Sequence, residues 1–294
     1  MHRLQSIGLL TGIIALFAFI GYSVFGWAGV ILIISGSVIF NIVSISSSTR
    51  LILSLHRARW LSFYEAPEIH RMAEELAHRA RISVPKLAIY PSDMPNAFAL
   101  GTKGGIIALS TGLIHALDRR ELKGVMAHEF AHLKNRDSLL SLSAGLFVQA
   151  IASISSFFGI LLFFMFFLGT WNDMSATLLP VIILVSISPN IAYILQTALS
   201  RTREYLADRD GALLSGDPQG LASALYKLEH INRYLSRLQR RFRFIYTTDA
   251  QTGPTWLRTH PPTEDRIRAL TQLAQRTTPY PQHIRRPIQH IAIQ

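Results

Sequence analysis

Cysteine is missing altogether from the 294 residues. That absence excludes disulfides, removes thiolates from the available metal ligands and fits a reducing compartment. Charge is scarce as well: 16% of residues are charged and 49% hydrophobic, an apolar excess over an ordinary soluble domain. The scarcity is local. Between Leu4 and Thr49 there is no Asp, Glu, Lys, Arg or His, and between Ser138 and Ser200 the only charge is Asp173. Both runs far exceed the roughly 20 apolar residues that cross a bilayer as a helix. The composition is that of a membrane protein.

Each run divides into two expected spans. In the first, Gly21-Tyr22 and Gly26-Trp27 bracket a weak interruption between spans near residues 5–22 and 27–46. In the second, Gly169-Thr170-Trp171-Asn172-Asp173 separates spans near 142–168 and 177–199. Trp27 and Trp171 fall at the expected hairpin tips, where interfacial aromatics belong. Pro180 and Pro189 would kink the fourth span, which a membrane helix tolerates where neighbours satisfy the freed carbonyls. Neither tip carries Lys or Arg, whereas Arg3, Arg50, Arg57, Arg59, Lys134, Arg136, Arg201 and Arg203 flank the other ends. That bias assigns both termini and all the polar sequence to the cytoplasmic side of a plasma (inner) membrane. A cleavable signal peptide fits less well, because the apolar run continues into a second span without a small-residue cleavage site.

The net charge of +11 raises nucleic acid as a partner. Yet the basic stretch RYLSRLQRRFRF (Arg233–Phe244) belongs to a chain anchored beside an anionic leaflet, and lipid headgroups explain it. No nucleic-acid-binding signature accompanies it. The bilayer is the expected partner, nucleic acid is not, and association of like copies is left open.

The expected organisation is a membrane hairpin over 1–49, a polar block over 50–138, a second hairpin over 139–200 and a second polar block over 201–294. The two blocks are expected to pack as one cytoplasmic domain. In the first, Pro67–Ala80 is an amphipathic helix with Ile69, Met72, Ala73 and Leu76 on one face. The runs Leu87–Tyr90, Ala97–Leu100 and Ile106–Leu109 alternate with Pro95-Asn96 and a glycine-rich turn, the pattern of a small sheet with a hairpin. Asp118 and Glu121 have capping-box spacing and start a helix toward the third span. In the second block Arg201–Ser215 continues the fourth span, Gly216 ends it, and Asp217-Pro218 opens the next helix.

The word His128-Glu129-Phe130-Ala131-His132 lies on the helix that Asp118 starts. Residues four apart share a helix face, so both imidazoles can reach one metal ion, for which neutral imidazole is a good zinc ligand. Glu129, beside the first ligand, can take a proton from a water that zinc acidifies, the arrangement of a metalloprotease. Two histidines four apart also occur as ordinary helix residues, so a third ligand is needed. Glu204 in SRTREYLADRDGA offers it, completing a His₂Glu set with one position open, and Asp208 is suited to hold the His128 ring from outside. Alone, that segment reads as a charged juxtamembrane helix. The topology joins the two motifs: a membrane hairpin returns the chain to the side it left, bringing Glu204 back to His128 and His132.

At these residues the sequence resembles the HtpX family of membrane-integral zinc metalloproteases, relatives of the CAAX prenyl proteases. AHEFAHLKNRD, SRTREYLADRDGA, PNAFALG and LRTHPPTEDRI carry the likeness, which fades after about residue 275. It implies a mainly α, membrane-integral fold: four transmembrane helices with a zincin-like α+β cytoplasmic catalytic domain carrying a small sheet. It implies zinc, one ion per chain, on His128, His132 and Glu204, with Glu129 as catalytic base. It adds His260 as a catalytic residue that steadies the oxyanion, and Asn96, Ala97, Phe98 and Ala99 as an edge strand for substrate. The activity implied is a zinc metalloendopeptidase of the stress response. It would cut misfolded or damaged membrane proteins in quality control, with unfolded or membrane-protein polypeptides as substrates.

Three other readings compete. A processing protease for lipidated or tail peptides is disfavoured because only four spans are visible. A non-catalytic zinc-containing scaffold is disfavoured by the intact Glu129 and the open coordination position. A transporter would need more polar groups in the spans than Asn41, Gln149, Asn190 and Gln196. The tail's His283 and His290 are not expected to be ligands.

Overall fold

The structure, a computed structural model, describes residues 2–101, 105–137, 144–145, 148–156, 158–160, 179–241 and 261–277. The expected second hairpin tip with Trp171, about half of the expected third span, His260 and the tail with His283 and His290 lie outside these residues.

Helix α1, His2–Leu55, is one element over both expected N-terminal spans. The expected interruption shrinks to Gly26 at φ 59°, where the Tyr22 and Trp27 rings meet edge-on at 5.4 Å. The left-handed Gly26 lets the two halves turn against each other: Leu9 packs with Leu195 and Leu199, and Leu53 packs on the sheet. Helix α5, Leu179–Ser215, covers most of the residues of the expected fourth span and continues through the polar segment. Among the described residues, Ile183–Ser215 is the helix long and apolar enough to cross a membrane.

Pro189 sits inside α5 and cannot donate to the carbonyl of Val185, four residues earlier. That carbonyl accepts instead from Ser155 Oγ at 2.7 Å and from Ser188 Oγ at 2.9 Å. Ser155 belongs to the helical residues 148–156, so the proline's lost bond becomes a bond between helices. Ile151 and Ala192 are buried at the same contact, with Leu16 of α1 against them.

The polar residues form a sheet covered on both faces. Helix α2, Pro67–Ala80, buries Ile69, Met72, Ala73 and Leu76 as its periodicity predicts. The strands are β1 (Arg59–Trp60), β2 (Lys86–Tyr90), β3 (Ala97–Leu100) and β4 (Ile106–Ser110), in the order β1-β2-β4-β3. β3 and β4 form the expected antiparallel hairpin, β2 and β4 are parallel, and β3 is an edge strand. Two-residue β1 is too short to leave a pattern in the sequence; it pairs antiparallel to β2. One face packs Ile107 and Leu109 against Leu76, Met126 and Phe130; each such burial is worth about 1.5–3 kcal/mol. Leu53 and Ala58, at the end of α1, cover Ala88, Tyr90 and Ala108 on the other.

A short helix α3, Thr111–Ala116, leads to α4, Arg119–Asn135. The expected capping box is present: Asp118 Oδ1 accepts from Glu121 N at 2.9 Å and Glu121 Oε2 from Asp118 N at 3.0 Å. Glu121 also accepts from Ser223 Oγ at 2.6 Å and Lys227 Nζ at 2.7 Å, both on helix α6, Pro218–Arg241. The helix does not run on toward the third span. It stops where Arg136 turns to φ 56° and caps it with an N–H to His132 O and Leu133 O. Gly216, at φ 73°, ends α5, and Asp217 Oδ1 caps α6 by accepting from Gly220 N at 3.0 Å. Helix α7, Thr263–Thr277, packs on α5 and α6.

Candidate metal centre

The site lies where α4 and α5 cross. Glu204, Asp208 and Gly211 fall at i, i+4 and i+7 on α5, one stripe of a helix. Gly211 makes the closest approach: a Cβ there would stand 2.8 Å from His128 Cα and N. Only a residue without a side chain lets the two backbones come this near, and that nearness brings Glu204 to the two histidines.

His128 Nε2 is 3.0 Å from His132 Nε2, and Glu204 carboxylate oxygens lie 3.7 Å from His128 Nε2 and 3.9 Å from His132 Nε2. Tetrahedral zinc with ligand bonds of about 2.0–2.1 Å separates its ligands by about 3.3–3.4 Å. The three observed separations bracket that edge. The structure thus brings together the three residues expected from the sequence, in a group able to hold a metal ion.

Each of the three is held from outside. Asp208 Oδ1 stands 3.0 Å from His128 Nδ1, as expected, in a contact too bent to be a good hydrogen bond. Asp137 Oδ2 is 2.7 Å from His132 Nδ1. With its Nδ1 paired to Asp137, His132 keeps its Nε2 lone pair for a metal, while the Asp208 carboxylate stands beside His128 Nδ1. Glu204 Oε2 is 3.2 Å from Arg266 Nη1, and the same guanidinium clasps Asp208 with two bonds of 2.7 Å. Burial by itself would lower the Arg266 pKa, but Asp208, Glu204 and Glu129 outweigh it and hold it above the ordinary arginine value. Arg203 pairs with Asp137 and so ties the chain just beyond α4 to α5.

Asp137, Arg203 and Arg266 were not anticipated as site residues. Asp137 lies five residues after His132, outside helical spacing, and meets it only because Arg136 turns the chain back. Arg266 lies within the quoted block LRTHPPTEDRI, beside the histidine that drew attention, and nothing local marks its side chain as buried.

Charge makes a second test of metal fit. Glu129, Asp137, Glu204 and Asp208 are buried carboxylates, while Arg203 and Arg266 are the buried guanidiniums among them. With neutral histidines these described buried groups sum to two net negative charges, which one divalent cation would balance. The residues fit zinc by geometry and by charge.

Glu129 is buried beside His128 on α4, within electrostatic reach of Arg266 and Tyr90. Ala97 and Ala99 of β3 pack into the core that α4 lines, so the edge strand runs alongside the HEFAH helix. Asn96 is fixed by its backbone: its N donates to Ser110 Oγ at 2.9 Å and its carbonyl accepts from Ser110 N at 2.9 Å. Phe98 faces away from α4, against His56 at 5.2 Å and Tyr90 at 5.5 Å between ring centroids.

The chain is similar to known proteins over most of its length. Peptidase family M48 matches residues 64–274. A protease HtpX homolog of Pyrococcus abyssi is 39% identical over 275 residues, spanning 90% of this chain and 94% of that protein. One of Salinibacter ruber is 37% identical over 284 residues, spanning 94% of this chain and 99% of that protein. The crystal structure of S. mikatae Ste24p has a similar fold, with a TM-score of 0.55 at 20% identity. That likeness covers 91% of this chain and 65% of the larger one.

Proposed function

The chain belongs to peptidase family M48, and we propose that it is a membrane-bound zinc-dependent endopeptidase acting on misfolded or damaged membrane proteins. The observation that carries the reading is the closed triangle of His128, His132 and Glu204 with Glu129 at its edge.

His128, His132 and Glu204 would hold one zinc ion per chain. When bound, zinc supplies Lewis acidity, lowering the pKa of a water and polarising the scissile carbonyl. Glu129 takes the proton from the attacking water and returns it to the leaving amine. Asp208 and Asp137 keep the imidazoles in the tautomer that leaves Nε2 available, and Arg266 holds Glu204 in place. His260, outside the described residues, is proposed to assist the oxyanion. Substrate would lie as a further strand along β3, with Asn96, Ala97, Phe98 and Ala99 at its side, a known mode of peptide capture.

The organisation proposed is two membrane hairpins, 1–49 and 139–200, with 50–138 and 201–294 forming a single cytoplasmic catalytic domain. Support comes from the apolar α5, the helical contacts among α1, residues 148–156 and α5, and the crossing of α4 with α5 at the foot of the second apolar run. An active helix joined so directly to a membrane segment favours substrates exposed near the bilayer. A multi-pass place in the plasma (inner) membrane, stress-linked quality control and association of like copies belong to this proposal.

The test pairs wild type with Glu129→Gln, both purified in detergent with identical handling. Elemental analysis measures bound metal, and an unstructured protein such as casein reports cleavage. About one zinc in each and cutting by wild type alone support the reading. Near-normal activity in Glu129→Gln removes that residue from the role. Zinc in both and cleavage by neither turns the site into a structural one.

A further inference from the structure

The end of α1 and the segment after it display apolar area that none of the described residues covers. Leu51 is 59% exposed, Leu55 73%, Trp60 55%, Phe63 45% and Tyr64 94%. All lie within fourteen consecutive residues that run from the last turns of α1 toward the first helix of the polar domain. Such concentration is unlike the scattered apolar residues of an ordinary surface.

The segment is also built firmly. Leu61 N donates to Leu87 O at 2.9 Å, Ser62 N to Glu65 Oε2 at 3.1 Å, and Arg59 Nη1 to the same oxygen at 2.9 Å. His70 Nε2 lies 3.1 Å from Leu61 O while its ring leans on Phe63 at 5.6 Å between centroids and 59° between planes. Three aromatic rings are therefore held outward by a fixed loop. Cations accompany them: Arg57 makes the left-handed turn that ends α1, and Lys86 Nζ sits 5.5 Å over the Trp60 ring.

We propose that Leu51, Leu55, Trp60, Phe63 and Tyr64, with Arg57, form a collar seated in the headgroup layer of the bilayer. Three observations select lipid over protein. Leu51 and Leu55 continue the apolar surface of α1, so the collar borders what that helix is immersed in. Aromatic rings beside Arg and Lys are the composition of a membrane–water interface, each amphipathic side chain having one apolar and one wet part. Cations favour an anionic leaflet. The inference rests on the membrane-spanning part of the proposed function.

The collar has a consequence for substrate. It anchors β1, and three strand spacings of about 4.8 Å separate β1 from β3, so the edge strand lies no more than about 15 Å across the sheet. Polypeptide only a few residues out of the bilayer can reach it. The collar would fix the height at which the enzyme cuts.

A chain without cysteine accepts one cleanly. Full-length Tyr64→Cys carrying an environment-sensitive fluorophore is reconstituted in phosphatidylcholine vesicles, with and without phosphatidylglycerol, containing lipids spin-labelled near the headgroup or in mid-chain. The expected result is at least about twofold quenching by the headgroup-proximal label, weaker quenching in mid-chain and little by aqueous iodide. Full iodide quenching without lipid quenching overturns the collar, and so does shielding from both, which assigns the face to protein. Trp60 retained as the sole tryptophan, with Trp27, Trp171 and Trp256 changed to Phe, repeats the measurement with the native ring. A label at Ile14→Cys, within α1, separates the two readings. If Ile14 is quenched in mid-chain and position 64 is not, the collar alone fails; if neither meets lipid, the membrane-spanning reading fails with it.

Discussion

Replacing Gly211 by Ala tests whether the crossing of α4 and α5 sets the metal geometry. The added Cβ would meet His128 Cα and N at 2.8 Å and Ala127 C at 3.1 Å, all backbone atoms that cannot rotate away. Ordinary contact begins at 3.4 Å, so the helices must part by roughly 0.6 Å at that point. Glu204 lies seven residues earlier on the same helix, about 10.5 Å along its axis, and moves with it. Metal sites tolerate only about 0.2 Å of ligand misplacement.

The stability change is small by comparison. Alanine gains about 1 kcal/mol over glycine inside a helix, whereas overpacking costs about 1–3 kcal/mol, leaving a net loss of about 0–2 kcal/mol. Zinc affinity is expected to fall about 10–100-fold, the range seen when groups supporting a ligand are lost. Competition with a chromophoric chelator reads the affinity, thermal unfolding the stability and casein hydrolysis the activity. Gly8→Ala is the control, because a Cβ there meets nothing within 4 Å. A Gly211→Ala protein with wild-type zinc affinity and activity would refute the idea that this contact places Glu204.

Three other outcomes follow from the same contacts. Arg266→Leu leaves the Asp208 carboxylate buried without its bidentate partner and is expected to cost about 3–5 kcal/mol in chemical denaturation; a loss below about 1 kcal/mol would mean that water replaces the guanidinium. Asp137→Asn removes the charge that orients His132, so zinc affinity is expected to drop about 10-fold or more while the fold persists, which circular dichroism and chelator competition together check. Glu121 reports on acid stability: burial raises its pKa, but Lys227, Ser223 and the Asp118 amide outweigh that and hold it below the ordinary carboxylate range. A lowered folded value gives stability that is complete above the unfolded value of about 4.3 and lost as pH falls through the folded one. Wild type's stability lead over Glu121→Gln is therefore expected to shrink on acidification below about pH 4, and a lead independent of pH would dismiss the carboxylate as its source.

What the sequence disclosed and what it hid divide along one physical line. His128 and His132 were legible because helix periodicity is local, and Glu204 because the proposed second hairpin would return the chain to them. The capping box at Asp118 and the end of α5 at Gly216 were legible for the same reason: the groups that make them lie within four residues. Arg266 was not, since its partners lie 58 and 62 positions away and only the packing of α7 on α5 buries it. Asp137 was hidden by a single backbone angle, the left-handed Arg136, which also stops the helix that the sequence would let run on. Gly211 was hidden most completely, because it acts by lacking a side chain. The candidate ligands are thus written in short motifs, but their spacing is set by residues with no motif: a missing Cβ, one turned residue and a buried guanidinium. A design that transplanted only HEFAH and REYLAD onto two crossing helices would hold the ligands too far apart, and zinc with them.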